Sequence, residues 1–325
     1  MKYAQLGRSG LAISRIALGT MNFGTETDPA ESFAIMDHAH EAGINFFDTA
    51  IRYGSQGDYG FGVTEEILGE WFAQGGGRRE RTVLSTKVFQ PTDNWPNNEG
   101  LSALNIRRAC EQSLRRLRTD YIDLLQLHHV DRNTPWEEVW QALDVLVRQG
   151  KVIYAGSSNF AGWHIARAQG VAESRNLLGL VSEQSLYNLM VRDIEREVLP
   201  AAEALGLGVL TWSPLNGGLL GGVLRKEREG TSRRAGWAEH TLERHRSSLR
   251  AYEGLCDAWS VDPAVLAIAW QLHRPAITAP VVGPRSVKQL HNTLTATDMQ
   301  VPNELAASLE EIFPGYQTAP EAYAW

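Results

Sequence analysis

The sequence predicts a (β/α)8 barrel that opens with a short β-hairpin and ends with an extra C-terminal helix. Three observations carry that expectation. Eight short apolar runs recur along the chain, an amphipathic segment follows each of them, and no G-x-G-x-x-G follows the first run. Runs that are apolar throughout, rather than alternating, are how strands buried on both faces of a parallel sheet read. Strands alternating with helices from end to end make a closed barrel or a doubly wound open sheet. The missing glycine fingerprint and the lack of a compositional break count against the open sheet.

The elements follow in order. Segments 2–6 (KYAQL) and 11–14 (LAIS) flank the turn Gly7-Arg8-Ser9-Gly10 and form the hairpin. The barrel strands are 15–19, 45–49, 82–87, 121–128, 152–156, 180–184, 208–212 and 278–282. The helices are 29–42, 64–74, 103–117, 136–149, 162–173, 194–205, 263–272 and 286–296. Within 103–117, Leu104, Ile106, Ala109, Cys110, Leu114 and Leu117 recur at helical steps; Val139, Leu143, Leu146 and Val147 do the same in 136–149. Residues 217–250 exceed an ordinary connection, and their glycine pairs and mixed charges suit a flexible lid or insertion. Residues 301–312 read as the extra helix and 313–325 as a tail. The whole chain, 1–325, is expected to be one domain, because a barrel of this class with insertions reaches this length.

Composition narrows the function. Lys plus Arg number 31 against 38 Asp plus Glu, a formal charge of −7, so nothing in the balance pulls the chain toward nucleic acid or anionic lipid. No run of 18 apolar residues exists, so no membrane span is expected. Cys110 and Cys256 form no C-x-x-C and no metal-ligand spacing, and the first ten residues lack the apolar core of a signal peptide. These features predict a soluble cytoplasmic protein without a metal; a homo-oligomer stays open.

In this barrel class, function gathers at the C-terminal ends of the strands. Those ends carry Asp48, Lys87 and His128, with Tyr53 five residues beyond Asp48. Singly, each also fits a structural role: a turn cap, a solvated lysine, half of a solvated histidine pair, a wall aromatic. Together they make chemical sense. A phenol with a pKa of about 10 is a poor proton donor or acceptor at neutral pH. A neighbouring ammonium stabilises the phenolate, and a carboxylate holds the ammonium in place. An imidazole can orient a carbonyl or bond to the phenol oxygen. Such a set serves proton transfer to a carbonyl oxygen while a cofactor delivers hydride to the carbon. A metal-dependent hydrolase would need histidine and carboxylate clusters on several strand ends, and His128-His129 is the only adjacent histidine pair.

Five motifs carry a family resemblance: FFDTA-x-x-YG at 46–54, STK at 85–87, YIDLLQLHHVD at 121–131, GSSN at 156–159 and VVGPRSVKQLHNTL at 281–294. In combination the chain resembles the aldo-keto reductases, NADP(H)-dependent (β/α)8 oxidoreductases. The resemblance implies that Tyr53 is the general acid/base, that Asp48 and Lys87 tune it, and that His128 orients the carbonyl. It implies that Ser158, Asn159 and Gln184 bond the nicotinamide carboxamide and that Trp212 stacks on the ring. Ser213, Leu215 and Gly217 would belong to a loop over the pyrophosphate. Gly283, Arg285, Ser286, Gln289 and Asn292 open the helix after the eighth strand. Backbone amides at a helix start attract phosphate there. Arg285 offers a forked donor for a 2′-phosphate, and Gln289 and Asn292 suit the adenine edge. Candidate substrate walls are Met21, Phe23, Tyr59, Phe61, Phe89, Trp95 and His129. The expected substrate is a small carbonyl compound. A weaker similarity, in 71–80, 135–146 and 157–166, is to reductases of nucleotide-linked keto-deoxysugars, and a third reading is an NADP(H)-sensing subunit like the potassium-channel β-subunits.

Overall fold

A computed structural model describes residues 1–54, 61–91, 93–230 and 237–324. Strands β1 (Tyr3–Gln5) and β2 (Ala12–Ser14) pair antiparallel, with Tyr3 opposite Ser14. Eight parallel strands follow: β3 (Ala17–Gly19), β4 (Phe46–Asp48), β5 (Val83–Val88), β6 (Ile122–Leu127), β7 (Val152–Ser158), β8 (Leu180–Leu186), β9 (Gly208–Trp212) and β10 (Ala279–Val282). They close into a barrel in chain order, with β10 beside β3. The helices are α1 (Pro29–Glu41), α2 (Val63–Phe72), α3 (Ala103–Leu117), α4 (Trp136–Arg148), α5 (Gly162–Ser174), α6 (Val198–Leu205), α7 (Val223–Arg228), α8 (Trp237–Ala258), α9 (Pro263–Leu272), α10 (Val287–Leu294), α11 (Asn303–Ile312) and α12 (Glu321–Ala324). The barrel, the hairpin and the C-terminal helix are those the sequence predicts.

Local chemistry sets where several helices start. Asp28, Ser102, Asp262 and Ser286 each accept a backbone N–H from the first turn, and Pro29 and Pro263 occupy the first helical positions. Apolar helix faces and outward strand residues form the shell between barrel and helices, with Leu18, Phe47, Trp71 and Leu84 on one side and Leu125, Trp140 and Leu143 on the other.

The barrel interior is divided. At the N-terminal end Leu6 and Ile13 of the hairpin pack with Phe46, Leu124, Leu210 and Ala279. The hairpin turn presses on the barrel floor through Gly7, whose φ is +58° and where a Cβ would lie 2.5 Å from the Gly206 carbonyl. Only glycine fits that approach. Toward the C-terminal end the interior side chains become polar: Asp48, Ser85, Lys87, Gln126 and Gln184 are all buried. Packing does not require such a layer, and burying it unpaired would be costly.

Residues 217–250, read as a flexible loop, are in large part helical, since α7 and α8 occupy 223–228 and 237–258. Helix α8 buries Leu242, Leu249, Tyr252 and Cys256, spaced by seven, three and four residues, and packs on α9 and α11. That stripe is helical in period, but the polar residues between its members hide it. The 313–325 tail carries α12. No helix among the described residues is long and apolar enough to cross a membrane.

Candidate active site

Asp48 is the last residue of β4 and Lys87 lies on β5, two residues beyond the one that faces Asp48. Side chains two apart on a strand share a face, so both point into the barrel. Lys87 Nζ donates to Asp48 Oδ2 at 2.5 Å, to the Thr49 carbonyl at 3.0 Å and to Tyr53 Oη at 3.3 Å. Tyr53 sits on the turn after β4, where its N–H donates to the Ala50 carbonyl at 3.0 Å. The turn continues into Gly54, with φ +82°, where a Cβ would meet Thr64 N at 2.9 Å. That close approach to α2 fixes the exit from the turn. Asp48 Oδ1 accepts from Gln126 Nε2 and Gln184 Nε2, each at 3.0 Å. Gln126 also donates to Ser85 Oγ at 2.7 Å.

His128 follows β6. Its N–H donates to the Val88 carbonyl at 2.9 Å, and its ring meets Tyr53 edge to face with centroids 6.1 Å apart. His129 stacks on it, with planes 2° apart. Among the described residues His128 Nδ1 is buried and makes no hydrogen bond.

The charges follow from these contacts. Burial alone would lower the Lys87 pKa, but Asp48 and then Tyr53 outweigh it, and the ammonium is held above its ordinary value. Burial pushes the Tyr53 phenol up; Lys87 opposes that and the Asp48 charge adds to it. The sequence predicts a lowered phenol. Lys87 does act in that direction, but burial is the larger effect. Burial, then Lys87 and His129, push the His128 imidazole down to about 2. At neutral pH Lys87 is therefore an ammonium, Tyr53 a neutral phenol and His128 a neutral imidazole.

The second part of the site adjoins the first. Ser158 Oγ donates to the Gln184 carbonyl at 2.8 Å. Asn159, at φ +62°, donates through Nδ2 to the His128 carbonyl and to Ser158 Oγ, both at 3.1 Å. Its Oδ1 accepts from Trp212 Nε1 at 3.0 Å. Trp212 is 37% exposed, leaving ring surface open at the end of β9. Beyond it, Ser213 Oγ accepts the Gly217 N–H at 3.2 Å; Leu215 is half-buried and Gly217 exposed. After β10, the Gly283 carbonyl accepts from Asn22 at 2.8 Å, Ser286 caps α10, and Gln289 Oε1 accepts the Arg285 N–H at 2.8 Å. Asn292 Nδ2 donates to Asp262 at 3.3 Å. Two acids already face this corner: Glu26 pairs with Arg285 at 3.4 Å, and Glu31 accepts the Val287 N–H at 2.9 Å.

The expected substrate walls divide. Met21 and Trp95 are exposed, at 60% and 75%. Phe89 and His129 are half-buried and pack edge to face. Phe61 lies under Arg52. Tyr59 is outside the described residues. Phe23 is corrected: it is fully buried in the shell with Ile35, Ile67 and Leu68, because the turn after β3 folds back onto α1 and α2 and leaves it no surface to offer a substrate. Sequence reasoning also missed Gln126 and Glu183, the latter with 0% exposure. Their signal was there, a lone amide in YIDLLQLH and a lone acid in LVSEQ, both inside buried strands. Among the described residues no three His, Cys, Asp or Glu side chains are grouped to hold a metal ion.

Known proteins agree with this architecture. The model of the Aldo/keto reductase family matches residues 15–313. An uncharacterized oxidoreductase of Bacillus subtilis, YrpG, is 51% identical over the full length of both chains. A probable voltage-gated potassium channel subunit beta of Arabidopsis thaliana is 33% identical over 99% of this chain and all of its own. Norsolorinic acid reductase stcV of Emericella nidulans is 33% identical over 94% of this chain and 80% of its own. The barrel, the polar layer at its C-terminal end and these similarities lead to one assignment: the chain belongs to the aldo/keto reductase family, whose members are oxidoreductases that use NAD(P)H.

Proposed function

We propose that this protein reduces an aldehyde or ketone to an alcohol with NADPH, and that Tyr53 donates the proton. The observation that carries the reading is the chain Asp48–Lys87–Tyr53, linked at 2.5 and 3.3 Å, with His128 beside the phenol. When bound, NADPH supplies the hydride.

The residues do the rest. Tyr53, held neutral by burial, has a proton to give as negative charge develops on a carbonyl oxygen. The phenolate left behind faces the Lys87 ammonium, which Asp48 keeps charged and fixed. His128 is neutral, so it offers a single ring N–H to the same oxygen without competing as a cation. Gln126 and Gln184 hold the second oxygen of Asp48, so the ion pair needs no reorganisation during the reaction.

The donor set fits a dinucleotide. Because Gln184 gives its Nε2 to Asp48, its Oε1 remains to accept from a carboxamide. Trp212 offers an open ring face. Arg285, exposed beside the capped start of α10, suits a terminal 2′-phosphate, which supports NADPH over NADH. The walls Phe89 and His129 suit a partly apolar carbonyl compound. A nucleotide-linked keto-deoxysugar is the second choice of substrate.

Replacing Tyr53 with Phe tests the reading. NADPH binding, followed by quenching of tryptophan fluorescence, should persist, and turnover should fall by about a hundredfold or more, the range for loss of a general acid. Turnover within a few-fold of wild type would mean that another group gives the proton. The likeness to a plant potassium-channel β-subunit favours a second reading, a cofactor-sensing subunit. Tight NADPH binding with no oxidation by any of a panel of aldehydes, ketones and diketones would support it instead.

A further inference from the structure

Glu183 is an acid buried to 0% exposure on β8, next to Gln184. Neighbouring residues of a strand point to opposite faces. Gln184 turns into the barrel and bonds Asp48, whereas Glu183 turns toward the corner between β7 and α5. No role in proton transfer uses it.

Its acceptors are all engaged, and by hydroxyls and an amide rather than a cation. Ser157 Oγ donates to Oε2 at 2.5 Å, Ser185 Oγ donates to Oε1 at 2.8 Å, and the Phe160 N–H donates to Oε1 at 3.0 Å. Ser157 and Phe160 bracket Ser158 and Asn159. The carboxyl group therefore ties the corner on both flanks. Between the ties, Asn159 holds φ +62°, a conformation that a non-glycine residue keeps only when its surroundings impose it. That conformation directs the Asn159 amide to the His128 carbonyl and to Trp212. An apolar residue of similar size would fill the same space without the cost of burying an acid.

We propose that Glu183 is a positioning residue for the nicotinamide half of the cofactor. By clamping Ser157 and Phe160 it holds Ser158 and Asn159 in the geometry that receives the carboxamide. The inference rests on the NADPH reading given above. It makes Glu183 matter for one end of the dinucleotide and not for the other, since the Arg285–Ser286 corner lies elsewhere, in the connection from β10 to α10.

The experiment measures dissociation constants for NADPH and for adenosine 2′,5′-bisphosphate, which carries the 2′-phosphate and adenine but no nicotinamide. Glu183→Leu should weaken NADPH roughly tenfold or more, the effect of losing one or two good hydrogen bonds. It should leave the bisphosphate within twofold of wild type. Glu183→Gln, which keeps the shape and one acceptor oxygen, should recover most of the NADPH affinity. Equal losses for both ligands, or an unchanged NADPH constant, would overturn the proposal. Should Glu183→Leu fail to fold, Ser157→Ala carries the same test: it removes one flank of the clamp and should weaken NADPH alone, and no change would refute the inference. Wild type that binds the bisphosphate and NADPH with equal affinity would also refute it, whereas wild type that binds neither would sink the cofactor reading itself.

Discussion

Asp48 and Arg285 both bring charge to the C-terminal end of the barrel, on opposite terms. Asp48 is 2% exposed and accepts from an ammonium and two amides that lie on three other strands. The Arg285 side chain is 45% exposed and meets one acid, Glu26, itself 57% exposed. In the first place every partner is fixed by strand register, and water does not compete. In the second, two long side chains share a solvated contact of the kind that is worth about 0–1 kcal/mol. Chemistry that depends on sub-ångström placement sits in the buried layer. On the proposed reading, recognition of a charged group that arrives with its own solvation falls to the rim.

The comparison breaks most readily at Lys87. Lys87→Met removes the cation from a buried carboxylate, and breaking a buried pair in this way costs about 3–5 kcal/mol. Urea denaturation should show that loss, and turnover should fall by at least as large a factor as in Tyr53→Phe. A variant as stable as wild type would mean that Asp48 had found another counter-charge and that the layer is less fixed than its geometry implies.

A smaller effect separates the buried region from the rim by pH. Burial raises the Glu183 carboxyl from its ordinary 4.5 to about 7, while bonds from Ser157, Phe160 and Ser185 act the other way. The folded state therefore holds this proton more tightly than the unfolded chain does. The stability it contributes is complete below pH 4.5 and is lost as pH rises through 7. The full change is about 3 kcal/mol. Comparing wild type with Glu183→Gln at pH 5 and pH 8 isolates it, since glutamine does not titrate. The stability of wild type relative to the variant should drop across that window. A difference that stays constant with pH would show that Glu183 is ionised throughout.

The same contrast explains which parts of the site are legible in the sequence. Asp48, Lys87 and His128 announced themselves because ionisable residues at the ends of apolar strands are rare and this barrel class gathers its chemistry there. Tyr53 followed from its motif. Gln126 and Glu183 are not legible, because a polar residue inside a buried strand reveals neither the strand face it occupies nor its partners; those depend on register with β5 and β7. Phe23 departs from expectation because a loop aromatic near a strand end looks the same in sequence whether it lines a mouth or plugs the shell beneath it. The stretch from 217 to 250 looked like loop because its charges outnumber the apolar residues that α8 buries. The net position of the Tyr53 phenol is not legible either: the sequence displays the ammonium but not the burial that outweighs it.

The smallest effect tests the rim. Arg285 is expected to hold a 2′-phosphate, and Glu26 occupies its guanidinium in the meantime. Arg285→Ala should weaken NADPH about tenfold, the scale of a charge-assisted contact with a phosphate, and leave NADH nearly unchanged. Glu26→Gln should act in the opposite sense. With the competing acid gone, NADPH should bind about two- to threefold more tightly, in keeping with the low worth of an exposed ion pair. Both differences should shrink in high salt, because exposed charges are screened within about 10 Å at 0.1 M. The Lys87→Met loss should not shrink, because its carboxylate is out of reach of the ions. If Arg285→Ala weakens NADPH and NADH equally, the guanidinium is not reading the 2′-phosphate. The rim would then be as nonspecific toward the two cofactors as its exposure allows, and selectivity would have to come from the other side chains of α10.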